Sequence, residues 1–553
     1  MPSEMVSGPA RVGDGAPADA LAAPGSGTTD GGRGGWARAI RRRLTFEHLG
    51  VLVLALLVLV VHDVGYIFSQ PYWTDEDWVA LTTKFPLSQL PATTNSTPIG
   101  WSVLIRFFTV SGTQSARIVP LAFAAAAVVV AYWFGRRLDW PRLPASLLAG
   151  VLAGIAMLMV PAMLIRDDLK QYTTDAFFAI LVLAVTSRLE RAWSRRMLAI
   201  LSVVTWGGML FSDAVAFMGA AAFAAVCVVA LARRNWRRLA ESAVAGVITA
   251  ILILAVYKGF DARAVTKSLT YSPHFSNYYP PRRHLHKLIH FVISHLQAEN
   301  SHFGLGPLWL VALLFVVGVA TVFWRKRPVT GTVLAIIWPE MLLISALHLY
   351  PFVDARTSTF LFAITTVTAA IGVAGVCSLL LRYLKGVLAV GLAMAAVAGL
   401  VVASARFVRG HYIPNEDMKA LTLYIADHVP ASDPIVLAQD SNFGFAYYWP
   451  TGQPSRVANN TIIQEYEATF PGQPRIVVAT SRTPAGVDAA MDQALAQSRA
   501  HGCAAMYLIR THLTAIEENA YNSWLNQRHL SAEAISAAYP GLTVVRINAS
   551  ACQ

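Results

Sequence analysis

The stretch from Arg166 to Val185, RDDLKQYTTDAFFAILVLAV, decides how the chain has to be read. Its first half carries Arg166, Asp167, Asp168, Lys170, Tyr172 and Asp175, and its second half holds no charge at all. Ionisable side chains at the mouth of an apolar run face a water-filled cavity or a partner rather than lipid, so they mark a functional site by default. Acids are favoured at a helix start, so Asp167 and Asp168 also fit a charged cap. Lys170 does not fit, because its charge opposes the helix dipole there. A lysine beside an arginine at a membrane surface is a natural receptor for a lipid phosphate.

Composition extends this reading to the whole chain. With 553 residues, 55% of them hydrophobic and 14% charged, and a mean hydropathy of +0.49, an ordinary soluble globular protein is excluded. About eleven apolar runs are long enough to cross a hydrocarbon core of about 30 Å; they lie near 47–68, 117–135, 144–165, 172–188, 197–212, 213–231, 238–257, 305–324, 329–350, 357–381 and 386–404. The expected fold is mainly α, a polytopic membrane protein.

The net charge of +12 is a topology signal rather than a sign of nucleic-acid binding. Arg and Lys concentrate in RAIRRRL, GRRLDWPR, RLERAWSRR, LARRNWRR, WRKR and LRYLK, at the end of every second span. The positive-inside rule puts all of these in the cytoplasm. Residues 69–116, the RDDLKQY cluster, 258–304, the YPFVDAR turn and everything beyond about 405 then fall outside. TPIGWSVLIRFFTVSG is too short to span and carries Arg106, so an amphipathic helix on the outer surface is expected.

Three regions follow: a cytoplasmic tail over 1–45, a membrane domain over 46–405 and an extracytoplasmic α/β domain over 406–553. The tail is rich in Gly, Ala, Pro and Asp and is expected to be disordered. Beyond residue 405, ten basic side chains stand against twelve acidic ones. There PIVLAQ, RIVVATS, AAMYLIR and LTVVRIN read as buried strands. They alternate with the helical patterns MKALTLYIADHV, GVDAAMDQALAQSRAHG and LTAIEENAYNSWLNQRH, which argues for a largely parallel sheet. No Gly-rich phosphate loop follows a strand, so nucleotide binding has no support. Cys503 and Cys552 both lie on the oxidising side, where pairing is open to them.

Several residues carry chemistry. Asp75, Glu76 and Asp77, between Trp73 and Trp78, are either solvated acids in an aromatic belt or a source of a general base close to the membrane. Arg356 is either a snorkelling anchor or a second cation at a phosphate. Glu340, beside Pro339 inside an apolar run, together with His62 and Asp63, would suit the coupling pathway of a secondary transporter or flippase. His286 and His290 have metal-ligand spacing, but the surrounding pattern reads as an amphipathic helix.

The order of these motifs resembles the GT-C superfamily of polytopic glycosyltransferases, of the lipid A aminoarabinose transferase and protein O-mannosyltransferase types. Asp75 and Glu76 are similar to the family's acidic pair in the first outside loop. Arg117 and Pro120 are similar to its Arg-x-x-Pro, Asp168, Lys170 and Tyr172 to its acid-x-Lys/Arg-x-Tyr motif, and Tyr350, Pro351, Phe352 and Arg356 to its late turn. Asp168 stands where the family often has Glu, and Val353, Asp354 and Ala355 intervene before Arg356. The resemblance implies transfer of a sugar from a polyprenyl-phosphate donor to a cell-envelope glycan, lipid or protein. Asp75 would be the base, with Glu76 supporting it or binding a divalent metal. Asp168, Lys170, Tyr172, Arg356 and Arg117 would bind substrate.

The topology is directly testable. In a background without the four native cysteines, Asn459→Cys should react with an impermeant thiol reagent in intact cells and Ser194→Cys should not. Labelling of Ser194→Cys would reverse both ends.

Overall fold

The structure is a computed structural model and describes residues 46–93, 97–159, 169–261, 273–281, 284–302, 307–354, 356–380, 416–456, 466–535 and 542–548. Eighteen helices matter below. Up to the first long span they are α1 (Phe46–Val61), α2 (Val64–Ser69), α3 (Thr74–Thr82), α4 (Ile99–Phe108) and α5 (Ile118–Arg136). The membrane region continues with α6 (Leu143–Leu158), α7 (Tyr172–Arg191), α8 (Arg195–Gly208), α9 (Val215–Ala232), α10 (Trp236–Val256), α11 (Leu285–His302), α12 (Leu308–Trp324), α13 (Pro328–Ala346) and α14 (Thr359–Leu380). The C-terminal region holds α15 (Met418–His428), α16 (Ser441–Tyr448), α17 (Pro484–Ala500) and α18 (Ala515–Gln527).

The chain is a multi-pass membrane protein. Six described helices are long and apolar enough to cross a bilayer, and four more are apolar but shorter. A helix occupies each expected span except 386–404, which lies outside the described residues, as does the 1–45 tail. The first span is shorter than its apolar run because α1 ends at Val61. Asp63 follows with φ of 52° and caps α2, its carboxylate accepting from the Tyr66 N–H at 3.2 Å. An aspartate tolerates this left-handed conformation because its side chain bonds the local backbone. The segment around Arg106 is the ten-residue helix α4, with Trp101 and Ile105 buried.

The membrane core runs between α5, α6, α7, α9, α13 and α14 through residues such as Val128, Ala179, Leu183, Met218, Val333 and Ile364. Between apolar helices in lipid, association relies on close packing rather than on expulsion of water, so small residues gather at the contacts. Gly318 of α12 and Gly372 of α14 show this: a Cβ on Gly372 would stand 2.8 Å from the Gly318 nitrogen. In contrast α10 turns Val244, Val247, Ile248, Ile251 and Leu254 outward, as a lipid-facing helix should.

Among the described residues, seven strands complete the C-terminal region: β1 (Ile435–Leu437), β2 (Gln453–Arg456), β3 (Tyr466–Thr469), β4 (Ile476–Val478), β5 (Met506–Arg510), β6 (Ser531–Ala534) and β7 (Thr543–Asn548). Five form one sheet in the order β4-β1-β5-β7-β6, and β2 pairs with β3 separately. All four expected strands are present, and α15, α17 and α18 match the three helical patterns. The sheet is mixed rather than largely parallel. β1 runs parallel to β4 and β5, but β7 is antiparallel to both β5 and β6. Parallel neighbours need a crossover helix; no helix stands between β6 and β7 among the described residues, so these two can only return antiparallel. Cys552 lies outside the described residues, so a bond to Cys503 does too.

The C-terminal region packs directly on the segment between α2 and α5. Tyr72, Val79, Trp101 and Val119 share one apolar cluster with Met418, Leu421, Phe445, Tyr447 and Ile509. Polar contacts reinforce it: Tyr466 Oη donates to the Trp78 carbonyl at 2.6 Å, and Lys84 Nζ reaches the Ala446 and Gly452 carbonyls, each at 3.0 Å. Gly444 of α16 lies flat against the Asp77 carboxylate, where a Cβ would collide.

Candidate active site

Helix α3 begins immediately after the first span, and its start is rigidly defined. Trp73 is the N-cap, and Glu76 reaches back to accept from the Trp73 N–H at 3.4 Å. This satisfies the N-cap donor and aims Asp75 away from Glu76. Acids in that turn also complement the helix dipole.

Glu76 is held by Arg117, and both side chains are fully buried. Arg117 Nε donates to Glu76 Oε1 at 2.9 Å, and one Nη2 proton goes to Oε2. The other Nη2 proton goes to the Pro71 carbonyl at 2.9 Å, while Nη1 donates to Ile67 at 2.6 Å and Gln70 at 2.9 Å. A guanidinium has five N–H donors, and here each has a protein acceptor. The guanidinium also lies 5.0 Å from the Tyr72 ring centroid. Glu76 and Arg117 thus meet each other, with no N–H of Arg117 left for an external anion.

Asp75 has a different surrounding. Lys170 Nζ contacts its Oδ2 at 2.9 Å, and Arg356 Nη1 contacts the same oxygen. The two cations lie 95 and 281 positions in sequence from Asp75, so only the fold brings the three residues together. Lys170 sits just before α7 and over the Trp78 ring at 5.4 Å; Arg356 sits at the entry to α14, 5.9 Å from the Trp73 ring centroid. Each tryptophan thereby gives one cation an aromatic wall.

The turn that presents Arg356 is built locally. Tyr350 Oη donates to the Thr357 carbonyl at 3.0 Å, the Asp354 carboxylate caps the Thr357 N–H at 3.1 Å, and Phe352 N–H reaches Tyr278 at 2.9 Å. On the opposite side, Trp101 Nε1 donates to the Leu169 carbonyl at 2.6 Å and fixes the backbone next to Lys170.

Electrostatics at Asp75 are a contest. Burial alone would raise its carboxyl, but the charges and hydrogen bonds of Lys170 and Arg356 prevail and hold it well below the usual carboxylate range. Its side chain stays 24% exposed and that of Arg356 27%, so the clamp is open to a ligand. Asp77 is the reverse case: burial first, then the charges of Glu76 and Glu416, push its carboxyl well above the ordinary range. One acidic triplet therefore contains an ionised clamp residue, a paired buried carboxylate and a buried acid that favours its neutral form.

Tyr172 is buried at the start of α7, and Asp168 lies outside the described residues. Asp63 serves as a helix cap, and Glu340 is half-buried along α13, which continues through Pro339. His286 and His290 lie on α11, and no group of three metal-ligating side chains occurs among the described residues. Sequence reasoning missed Ser212 and Asp213, which meet Gln171 and Asp175. The signal was present as a lone acid in FSDAV between two apolar runs, too small a cluster to stand out.

No protein-family model and no curated protein matches the chain. Among solved structures, ArnT from Cupriavidus metallidurans in the apo state aligns over 92% of this chain and 99% of its own, at 15% identity and a TM-score of 0.50. The fold is that of the GT-C membrane glycosyltransferases. ArnT from Cupriavidus metallidurans bound to undecaprenyl phosphate also matches, at 16% identity, 90% and 97% coverage and a TM-score of 0.48. The Archaeoglobus fulgidus oligosaccharyltransferase, in complex with Zn and sulfate, matches at 12% identity over 83% of this chain and 67% of its own, with a TM-score of 0.49.

Removing one member of a buried ion pair strands the other, which costs about 3–5 kcal/mol. Arg117→Met should therefore lower the unfolding midpoint of the purified protein sharply, and adding Glu76→Gln should restore part of the loss. An unchanged melting curve for Arg117→Met would show that the pair does not hold the loop.

Proposed function

We propose that the protein is a glycosyltransferase that moves a sugar from a polyprenyl-phosphate donor to a cell-envelope acceptor at the outer face of the membrane. The N-terminus is then cytoplasmic and the region after about 405 extracytoplasmic. The observation that carries this reading is the sharing of one Asp75 oxygen by Lys170 and Arg356. Two cations from distant segments, walled by Trp73 and Trp78 and converging on a single accessible carboxylate oxygen, form a site that an incoming phosphate can take over.

The donor is a phosphodiester with one negative charge, and its leaving group, once the glycosidic bond breaks, is a monoester with close to two. Cations that bind this developing charge lower the barrier more than they stabilise the bound donor, and such differential stabilisation is usually the largest catalytic contribution. Lys170 and Arg356 fill that role when they transfer from Asp75 to the phosphate oxygens. Asp75 then loses both partners while it remains largely buried, so its proton affinity rises. It becomes a base at the moment the donor is in place, and takes the proton from the acceptor hydroxyl as that oxygen bonds to the anomeric carbon. The bonding pair between that carbon and the bridging oxygen leaves with the phosphate.

In this reading Glu76 and Arg117 position the start of α3 and do not touch substrate. Tyr172 and Asp168 remain at the donor side through the family resemblance. The C-terminal region, packed on α3, forms the acceptor side.

Asp75→Asn separates the two roles of Asp75. It should reduce transfer by about 10² to 10⁴, the range for a positioned base, yet bind polyprenyl phosphate more tightly than wild type, because no carboxylate competes for the cations. Weaker or unchanged binding would sink the exchange of partners, and near-normal turnover would remove Asp75 from the chemistry.

Lys170→Met and Arg356→Met should each weaken polyprenyl phosphate binding, with a double mutant that loses less than the sum of the singles, since both cations meet one anion. Arg356→Lys should recover only part, because a point charge cannot bind two oxygens as a fork does. Strict additivity, or full affinity in both single variants, would return these residues to the role of interfacial anchors.

A further inference from the structure

One residue along from Lys170, a second group of side chains is buried without the partners its chemistry requires. Gln171, the N-cap of α7, donates Nε2 to Asp213 Oδ2 at 3.5 Å, while Oε1 of the same amide accepts nothing. Asp175, one turn further along α7, faces Ser212 and Asp213. Asp175 Oδ1 and Asp213 Oδ1 are both buried and without a hydrogen bond, and the Ser212 hydroxyl stands beside Asp175. Asp175 and Ser212 are essentially inaccessible, and Gln171 is 8% exposed.

This arrangement is held in place from both sides. Thr174 Oγ1 donates to the Phe211 carbonyl at 2.6 Å, which ties the loop between α8 and α9 to the start of α7. Trp101 N–H holds the neighbouring Leu210 carbonyl at 3.1 Å. Tyr350, at the head of the turn that carries Arg356, lies within the field of both carboxylates. Lys170, next to Gln171 in the chain, and Arg356, at the end of the Tyr350 turn, are both engaged by Asp75.

Three unpaired acceptors and a hydroxyl, fixed in a low-dielectric site, are expensive to leave unsatisfied. What would satisfy them is a ligand rich in O–H donors. A divalent cation is a poorer match. Calcium and magnesium require six or more oxygens in a closed shell; only two carboxylates are present, one of them already taking an amide N–H. Adjacent hydroxyls of a sugar suit two carboxylates and a side-chain amide oxygen, and they leave the Ser212 hydroxyl free to donate or accept.

We propose that Gln171, Asp175, Ser212 and Asp213 form the subsite that holds the hydroxyl groups of the donor's sugar, beside the phosphate ligands Lys170 and Arg356. The inference rests on the glycosyltransferase reading above and adds to it the residues that select the sugar. A site built to bond hydroxyls discriminates strongly against a ligand that lacks them, because its own polar groups then stay unpaired. Sugar selection thus depends on the α8–α9 loop and the first turn of α7, and phosphate binding on Lys170 and Arg356.

The test compares lipids with and without sugar on the full-length protein in nanodiscs. Affinities are measured for polyprenyl phosphate and for polyprenyl-phosphate mannose, glucose, galactose and arabinose. Wild type should bind at least one sugar-bearing lipid about tenfold or more tightly than the bare phosphate, the gain expected from one or two hydrogen bonds. Asp213→Asn and Ser212→Ala should erase that gain and leave bare polyprenyl phosphate within about twofold of wild type; Asp175→Asn, on the first turn of α7, serves as a third variant with the same expected outcome. A gain that survives in Asp213→Asn and Ser212→Ala overturns the proposal. So does equal loss of both lipids, or a wild-type panel in which no sugar improves binding. Loss of the gain on adding a chelator would overturn it in favour of a cation. Lys170→Met should weaken every lipid alike; if it leaves bare polyprenyl phosphate unaffected, the underlying glycosyltransferase reading fails instead, and the two failures are distinguishable.

Discussion

The guanidinium of Arg117 is the fixed point of the segment that follows the first span. It joins the end of α2, the Pro71 carbonyl, the first turn of α3 and the start of α5 in one set of hydrogen bonds. A lysine could not do this, since its three donors spread from a point and do not form a planar fork. Burying an ion pair adds little net stability over an apolar pair of the same shape. Its value here is directional: with the backbone of residues 67–76 pinned, the first turn of α3 has one orientation, and Asp75 faces Lys170 and Arg356 rather than Arg117.

Charge around the start of α3 is organised by that orientation. Three consecutive acids meet three environments, and their proton affinities separate accordingly. Asp75 is kept ionised by two cations, Glu76 is neutralised by one, and Asp77, with no cation of its own and two acidic neighbours, is driven toward its neutral form. Desolvation acts on all three, and the difference lies in what each side chain meets after it is buried. The tight approach of Gly444 to Asp77 fits this, because a neutral acid can be covered by a backbone with no counter-ion.

The C-terminal region contributes more than a separate fold. Its apolar cluster is continuous with residues of α3, α4 and α5, and Tyr448 Oη accepts the Tyr72 N–H at 2.8 Å just ahead of the Trp73 cap. Tyr447 reaches the Thr113 carbonyl at 2.8 Å on the other side of the loop. These bonds span more than 330 positions of sequence, and tie the segment between α2 and α5 to the C-terminal region.

Sequence alone determined the membrane character, the approximate spans, the short α4 helix, and four strands and three helices beyond residue 415. Each of these follows from hydrophobic period and length, which are local quantities. It also marked Asp75, Lys170 and Arg356, since charge at a membrane boundary is costly enough to be conspicuous. It could not decide how those residues pair. Glu76 and Asp75 are adjacent and chemically alike, yet one is bound to Arg117 and the other to Lys170 and Arg356, because successive side chains on a helix point about 100° apart. The sense of β7 and the meeting of Gln171, Asp175, Ser212 and Asp213 were equally invisible, as both depend on contacts between segments distant in the chain. Local pattern sets which elements form, and only tertiary packing sets which carboxylate meets which cation.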